Sequence, residues 1–345
     1  MSSLESLLQQ TLTDRPLTPS MEGQLIDWEL SDESRSRALG IAPDNASKIV
    51  QSRVQFLRRA VQIADRFPVT PSLTLLWRLW LPLAGQLAQC CQGRDRPLIQ
   101  GILGAQGTGK TTLATSLQTI LAQLGVRVAT LSIDDFYKTY GDRQRLKQRD
   151  PRLVWRGPPG THDIELGIAT IDRLRDGDRS EPVAVPRFDK SAWNGQGDRA
   201  EPEWIEGVDL VILEGWLVGM RPIDSAAFDT APSPIDTEGD REFARDNNER
   251  LRDYLPLWDR LDRFIVLDPV DYRFSLQWRQ EAERNAIARG KAGMDDSQVE
   301  QFVKYFWKAL HPALFVPPLL DTPQRTDLAI EIQRNRSPGK IYVPS

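Results

Sequence analysis

The 345-residue sequence predicts an α/β fold, three layers α/β/α around a mainly parallel sheet, preceded by an N-terminal helical region. Short apolar runs alternate with helical stretches from residue 98 onward, the pattern of crossover connections in a parallel sheet. A glycine-rich loop separates the first of these runs from a helix. Before them, residues 1–95 space their apolar positions as helices do and carry no catalytic motif.

In chain order, residues 43–66 read as an amphipathic helix, with Ile49, Val50, Val54, Leu57 and Val61 near helical spacing. Residues 73–87 are the most apolar stretch. Arg78, Pro82 and Gln86 interrupt it, so it is expected to pack through Leu76, Leu79 and Leu83 and not to cross a bilayer. The region 1–95 is expected as a helical layer on the core, with a partner-binding or oligomerising extension as the alternative. Strands are expected at 98–103, 126–131, 208–213, 264–267 and 328–332. Leu113, Leu117, Ile120, Leu121 and Leu124 mark the helix after the first of them. The polar, acidic stretch 223–248, with Pro232 and Pro234, reads as a mobile surface insertion. Residues 279–296, with Gly290 and Gly293, read as a hinged lid.

Composition narrows the class. A net charge of −4 argues against a nucleic-acid binder that relies on bulk charge. Cys90 and Cys91 are adjacent and no C-x-x-C occurs, which disfavours a disulfide framework or zinc site and reads as cytoplasmic. The pair could support thiol regulation, but burial in a packed helix is the plainer reading. Residues 1–16 contain Glu5 and Asp14 and lack the apolar core of a secretory signal.

The loop Gly104-Ala105-Gln106-Gly107-Thr108-Gly109-Lys110-Thr111, continued by Thr112, fits G-x-x-x-x-G-K-[ST], the P-loop. Strand, glycine loop and helix together aim backbone N–H groups and the positive helix end at a phosphate. Residues 96–345 therefore read as a P-loop domain that binds ATP. Lys110 is expected to reach the β- and γ-phosphates and Thr111 to ligate Mg²⁺.

Ligands of parallel sheets lie at the carboxyl ends of strands, and the other candidates follow strands too. Asp134 and Asp135 follow the second; at least one is expected to take a proton or hold Mg²⁺, against simple capping of the next segment. Glu214 ends a Walker-B-like strand and is expected at the metal, with Gly215 permitting close approach. Arg273, Arg279, Arg284, Arg289 and Lys291 could close on a transferring phosphoryl group, or pair on a solvated face as Arg279 and Glu283 could. His311 reads as structural, whereas His162 could cap or bind a ligand. Arg187, Lys190 and Arg199 cluster where a small anionic, hydroxylated substrate would suit them.

The order GAQGTGKTT, LSIDDFYKTY, WRGPPGTHD, PRFDKSAWNGQGDR, VILEGW and RQEAERNAIARGKAGM resembles the D-glycerate 3-kinases of plants and cyanobacteria. These belong to the P-loop kinases with phosphoribulokinase, uridine kinase and bacterial pantothenate kinase. The resemblance spans residues 98–335 and implies ATP-dependent phosphorylation of D-glycerate at its 3-hydroxyl, a step of photorespiratory carbon recovery. It implies Asp134 as base and possible metal neighbour, Asp135 as its support, Glu214 at the metal, and Arg279 and Arg284 as lid arginines. By chemistry and motif position, Arg187, Lys190 and Arg199 then face the glycerate carboxylate, with His162 nearby, and residues 333–337 complete the adenine pocket. The rivals are a kinase of the same group acting on pantothenate, a nucleoside or a sugar phosphate, and a nucleotide-dependent switch ATPase. The N-K-x-D guanine signature is absent.

Overall fold

A computed structural model describes residues 4–13, 16–176, 180–290 and 293–344. The strands are β1 (Leu98–Gly104), β2 (Val128–Ser132), β3 (Val183–Asp189), β4 (Asp198–Ile205), β5 (Leu210–Gly215), β6 (Arg263–Pro269), β7 (Leu328–Ile332) and β8 (Pro338–Tyr342). A six-stranded sheet runs in the order β2-β5-β1-β6-β7-β8. Its first five strands are parallel and β8 closes the edge antiparallel to β7. β3 and β4 form a separate antiparallel hairpin.

The central strands are apolar almost throughout because both faces are covered. Successive residues alternate between the layers. Leu98, Ile102, Leu210, Ile212, Ile265 and Leu267 pack against the helix Lys110–Ala122 and the N-terminal helices. Ile99, Leu103, Val211, Leu213 and Val266 face the opposite layer. Among the N-terminal helices, Pro19–Leu30 and Ala46–Gln62 are joined through Glu29. This fully buried carboxylate pairs with Arg35 at 2.9 Å and Arg53 at 2.6 Å. The two guanidiniums lie over the rings of Trp28 and Trp77. A buried charge needs such partners, and removing one would strand the rest.

The stretch 73–91 is helical, with a π turn at Leu76–Trp80 directly ahead of Pro82. Proline offers no N–H to the preceding turn, and a widened turn absorbs that loss. No helix among the described residues is long and apolar enough to cross a membrane. Cys90 and Cys91 are free and partly buried. Burial and the neighbouring Cys90 push the Cys91 thiol up to about 11, so it stays protonated near neutrality.

The structure corrects two sequence expectations and adds elements that the sequence reading lacked. β2 begins at Val128, not at residue 126, because Val126 donates to the Leu121 carbonyl and closes the preceding helix beside Gly125, at φ +74°. The stretch 223–248 is not a surface insertion. Phe228, Ile235, Phe243, Ala244 and Asn247 are buried, and Glu238–Arg250 is a helix with a capping box from Thr237 and Asp240. The hairpin β3–β4 and the edge strand β8 were not foreseen as such; β4 is exposed along most of its length and lacks an apolar alternation. Of the sequence candidates, Asp14, Lys291 and Ala292 lie outside the described residues.

Candidate active site

The ends of β1, β2 and β5 converge on a cavity of 1090 Å³. Gln106, Gly107, Lys110 and Thr111 form one wall. Gly109, at φ +90°, caps the helix Lys110–Ala122. Leu113 N–H is the first to bond back, to the Gly109 carbonyl, so the N–H groups of Lys110, Thr111 and Thr112 are the open donors of that helix end. Gly107, at φ +81°, has no room for a side chain, because a Cβ would lie 2.5 Å from Trp278 Cβ. Thr108 is buried and its hydroxyl donates to the Ala105 carbonyl at 2.8 Å. Gly104 and Ala105 line a second, mainly apolar cavity of 530 Å³. Its charged residues are Asp268, Asp271, Arg273 and Asp321.

Lys110 Nζ donates to the Ala105 carbonyl at 3.2 Å. Burial lowers its pKa, while Glu214 and Asp134 act to raise it. Thr111 Oγ1 donates to Glu214 Oε1 at 2.7 Å, joining the helix start to the end of β5. A hydroxyl and a carboxylate suit Mg²⁺, a hard cation that takes few protein ligands beside substrate phosphates and water. Among the described residues no cluster of three or more His, Cys, Asp or Glu is placed to hold an ion. The next residue, Gly215, lets the turn after β2 approach closely, since a Cβ there would sit 2.4 Å from Ile133 Cγ2.

That turn, Ile133–Phe136, separates the two aspartates. Asp135 faces inward: it accepts from Ser132 N–H at 2.9 Å and pairs with Arg187 at 2.9 Å. Asp134 faces the cavity and pairs with Lys190 Nζ at 2.7 Å. The Tyr137 hydroxyl lies beside it and favours its charged form. Burial raises the Asp134 pKa, but the Lys190 ammonium and the Tyr137 hydroxyl outweigh it and hold the carboxyl below its ordinary value. Burial and Asp134 hold the Tyr137 phenol well above its ordinary range.

His162 stands behind this pair. It is buried, stacks on Tyr137 with ring centroids 4.5 Å apart, and shares a 2.6 Å hydrogen bond between Nδ1 and the Tyr254 hydroxyl. Burial drives its pKa down to about 3, so the ring is neutral. It does not line the cavity. His311 is buried and accepts from Ala313 N–H at the start of a short helix.

The structure moves several expected cations out of the site. Arg187 is held by Asp135 and by Glu203 at 2.6 Å, and also reaches the Thr130 carbonyl. Arg199 pairs with Asp163 at 2.6 Å. Arg284 is exposed and pairs with Asp296 at 2.8 Å, away from the cavity. In each case a carboxylate contributed by another part of the chain takes the guanidinium. Arg279 does line the cavity, ion-paired to Glu283 and lying over Phe302. The loop 333–337 folds toward the glycine loop, with Arg336 Nε 3.3 Å from the Gly107 carbonyl.

Arg156 was not singled out from the sequence. It lines the cavity near Lys190, lies over the rings of Tyr137 and Phe188, and donates to the Gly195 carbonyl at 2.8 Å. No ion pair of Arg156 forms among the described residues. Its signal was its place before the Gly157-Pro158-Pro159-Gly160 turn, which sets that strip of chain against the cavity.

No family model matches the chain. It is 32% identical over 326 residues to the chloroplastic D-glycerate 3-kinase of Arabidopsis thaliana, covering 87% of this chain and 69% of that one. It is 33% identical over 219 residues to the uncharacterized kinase mug58 of Schizosaccharomyces pombe, covering 61% of this chain and 79% of the other. The structure of D-glycerate 3-kinase from Cryptococcus neoformans var. grubii superposes with a TM-score of 0.67 at 29% identity, covering 76% of this chain and 98% of that one. The glycine loop, the strand order and these similarities agree: the chain belongs to the D-glycerate 3-kinase family of P-loop kinases.

Proposed function

We propose that this enzyme transfers the γ-phosphoryl group of ATP to the 3-hydroxyl of D-glycerate, giving 3-phosphoglycerate and ADP. The observation that carries the reading is the meeting of the glycine loop, the Thr111–Glu214 pair, Asp134 and two cations, Lys190 and Arg156, in one cavity. The open N–H groups of Lys110, Thr111 and Thr112 cradle phosphate oxygens, and the Lys110 ammonium offsets the charge that develops between the β- and γ-phosphates. Thr111 and Glu214 would hold Mg²⁺, which neutralises phosphate charge when bound. Asp134 takes the proton of the acceptor hydroxyl. Its place on the cavity wall and its ionised state suit a proton acceptor. Arg279 is placed to swing from Glu283 onto the phosphates. His162 orients Tyr137 and through it Asp134.

The acceptor carboxylate belongs to Lys190 and Arg156, not to Arg187 and Arg199. Arg156→Met is therefore expected to raise the KM for D-glycerate about 10- to 100-fold, the worth of a hydrogen bond to a charged group. The KM for ATP should stay within about twofold. Arg199→Met should instead lower the Tm and leave the acceptor KM nearly unchanged. The reverse pattern in steady-state kinetics would return the carboxylate to Arg199. The relatives named uridine kinase match at 29–30% identity over 46% of this chain; two cavity cations favour an acid over a neutral nucleoside. The reading is tested by acceptor-dependent ADP release with D-glycerate, pantothenate, uridine and no acceptor. Turnover greatest with D-glycerate supports it, and turnover indifferent to acceptor would favour a switch ATPase. The reading also includes a cytoplasmic enzyme recovering photorespiratory glycerate.

A further inference from the structure

Lys190 stands directly after β3, and its ammonium is bonded to the proposed base itself. The other cations around the hairpin are engaged elsewhere: Arg187 with Asp135 and Glu203, Arg199 with Asp163, and Arg143 with the carbonyls of Gln196 and Gly197. The hairpin backbone is anchored. Trp193 stacks on Tyr140 at 4.7 Å and donates through Nε1 to Asp198, which also accepts from Tyr140 N–H. Arg156 holds the Gly195 carbonyl. Lys190 can thus change partner by rotating its own side chain, with the loop in place.

The pair is suited to exchange. The Lys190 side chain is 62% exposed and that of Asp134 25% exposed, so solvent screens the attraction and a competing carboxylate can displace it. Lysine is a compact charge on a flexible stem, unlike the planar fork of arginine. While the pair stands, the Asp134 oxygen bonded to ammonium cannot accept a proton from an alcohol or from water.

We propose that the Lys190–Asp134 pair is a substrate-operated lock: it holds the base in the empty enzyme, and an acceptor carboxylate opens it by becoming the partner of Lys190 and Arg156. The lock rests on the kinase reading above and adds a selection rule to it. Acceptors need a carboxylate not only to bind but to free the base. Glycerol presents a primary alcohol without the key, and water bound beside ATP meets a blocked base, so futile hydrolysis is suppressed. In the unlocked state the acceptor O–H bond breaks toward Asp134 and the oxygen bonds to the γ-phosphorus. The bond from that phosphorus to the bridging oxygen breaks and leaves ADP.

The test compares wild type with Lys190→Met and Lys190→Arg, measuring ATP hydrolysis without acceptor and kcat/KM for D-glycerate and for glycerol. In Lys190→Met, acceptor-free hydrolysis should rise at least about tenfold, a fraction of the roughly 10²–10⁴ that a positioned base contributes. The preference for D-glycerate over glycerol should narrow by a similar factor. The acid limb of the pH profile should move up. Lys110, His162 and Tyr137 still neighbour Asp134, but the cation paired with it is gone. Lys190→Arg should restore low hydrolysis, since it keeps the charge. Hydrolysis unchanged in Lys190→Met, or D-glycerate and glycerol activities falling in parallel, overturns the lock. A wild type inactive on D-glycerate, with hydrolysis still rising in Lys190→Met, would overturn the acceptor assignment and leave the lock on the base standing.

Discussion

Lys110→Ala is expected to lower kcat/KM by roughly 10²–10³-fold, about 3–4 kcal/mol of lost transition-state stabilisation. The side chain leaves the first turn of the helix that follows the glycine loop, where the open N–H groups already favour an anion. Without it, Glu214 and Asp134 lose a neighbouring cation. Among the described residues its ammonium donates to the Ala105 carbonyl alone, so the loop has little else to lose and the Tm should change little. Acceptor-dependent ADP release, measured alongside thermal unfolding, checks both statements. Turnover within twofold of wild type would remove the glycine loop from the chemistry.

Asp134→Asn should lower kcat by roughly 10²–10⁴-fold while ATP still binds. Asparagine keeps the shape and can still meet Tyr137, but it takes no proton from the acceptor. Calorimetric titration with ATP and Mg²⁺ separates the alternatives: loss confined to nucleotide affinity would make Asp134 a metal ligand. The wild-type pH profile carries a related expectation. A carboxyl held below 3.8 is ionised at every pH above about 5, so this base should impose no acid limb in that range. A group with a depressed folded-state pKa becomes protonated only at lower pH, and kcat/KM, which reports the free enzyme, should fall there.

The glycine loop was legible as a motif in the sequence because its constraints are local. Positive φ at Gly107 and Gly109, the lysine and the hydroxyl all lie within one turn of chain. Asp134 and Glu214 were legible as acids at strand ends. Which cations face the acceptor was not, because that depends on partners far along the chain. Arg187 and Arg156 are equally basic in sequence. Asp135, 52 residues away, and Glu203 on the neighbouring strand claim the first and none of the described carboxylates claims the second. The stretch 223–248 misled for a similar reason. Its larger apolar residues follow no single period, yet Phe228 and Ile235 join the core on one face of the sheet and Phe243 a separate cluster with Tyr305 and Phe306.

The most direct measurement is to incubate the purified chain with ATP, Mg²⁺ and D-glycerate and identify the phosphorylated product by mass and by a position-specific enzymatic assay. The account predicts 3-phosphoglycerate, formed in step with ADP. Formation of 2-phosphoglycerate, or ADP release that does not depend on D-glycerate, would contradict it.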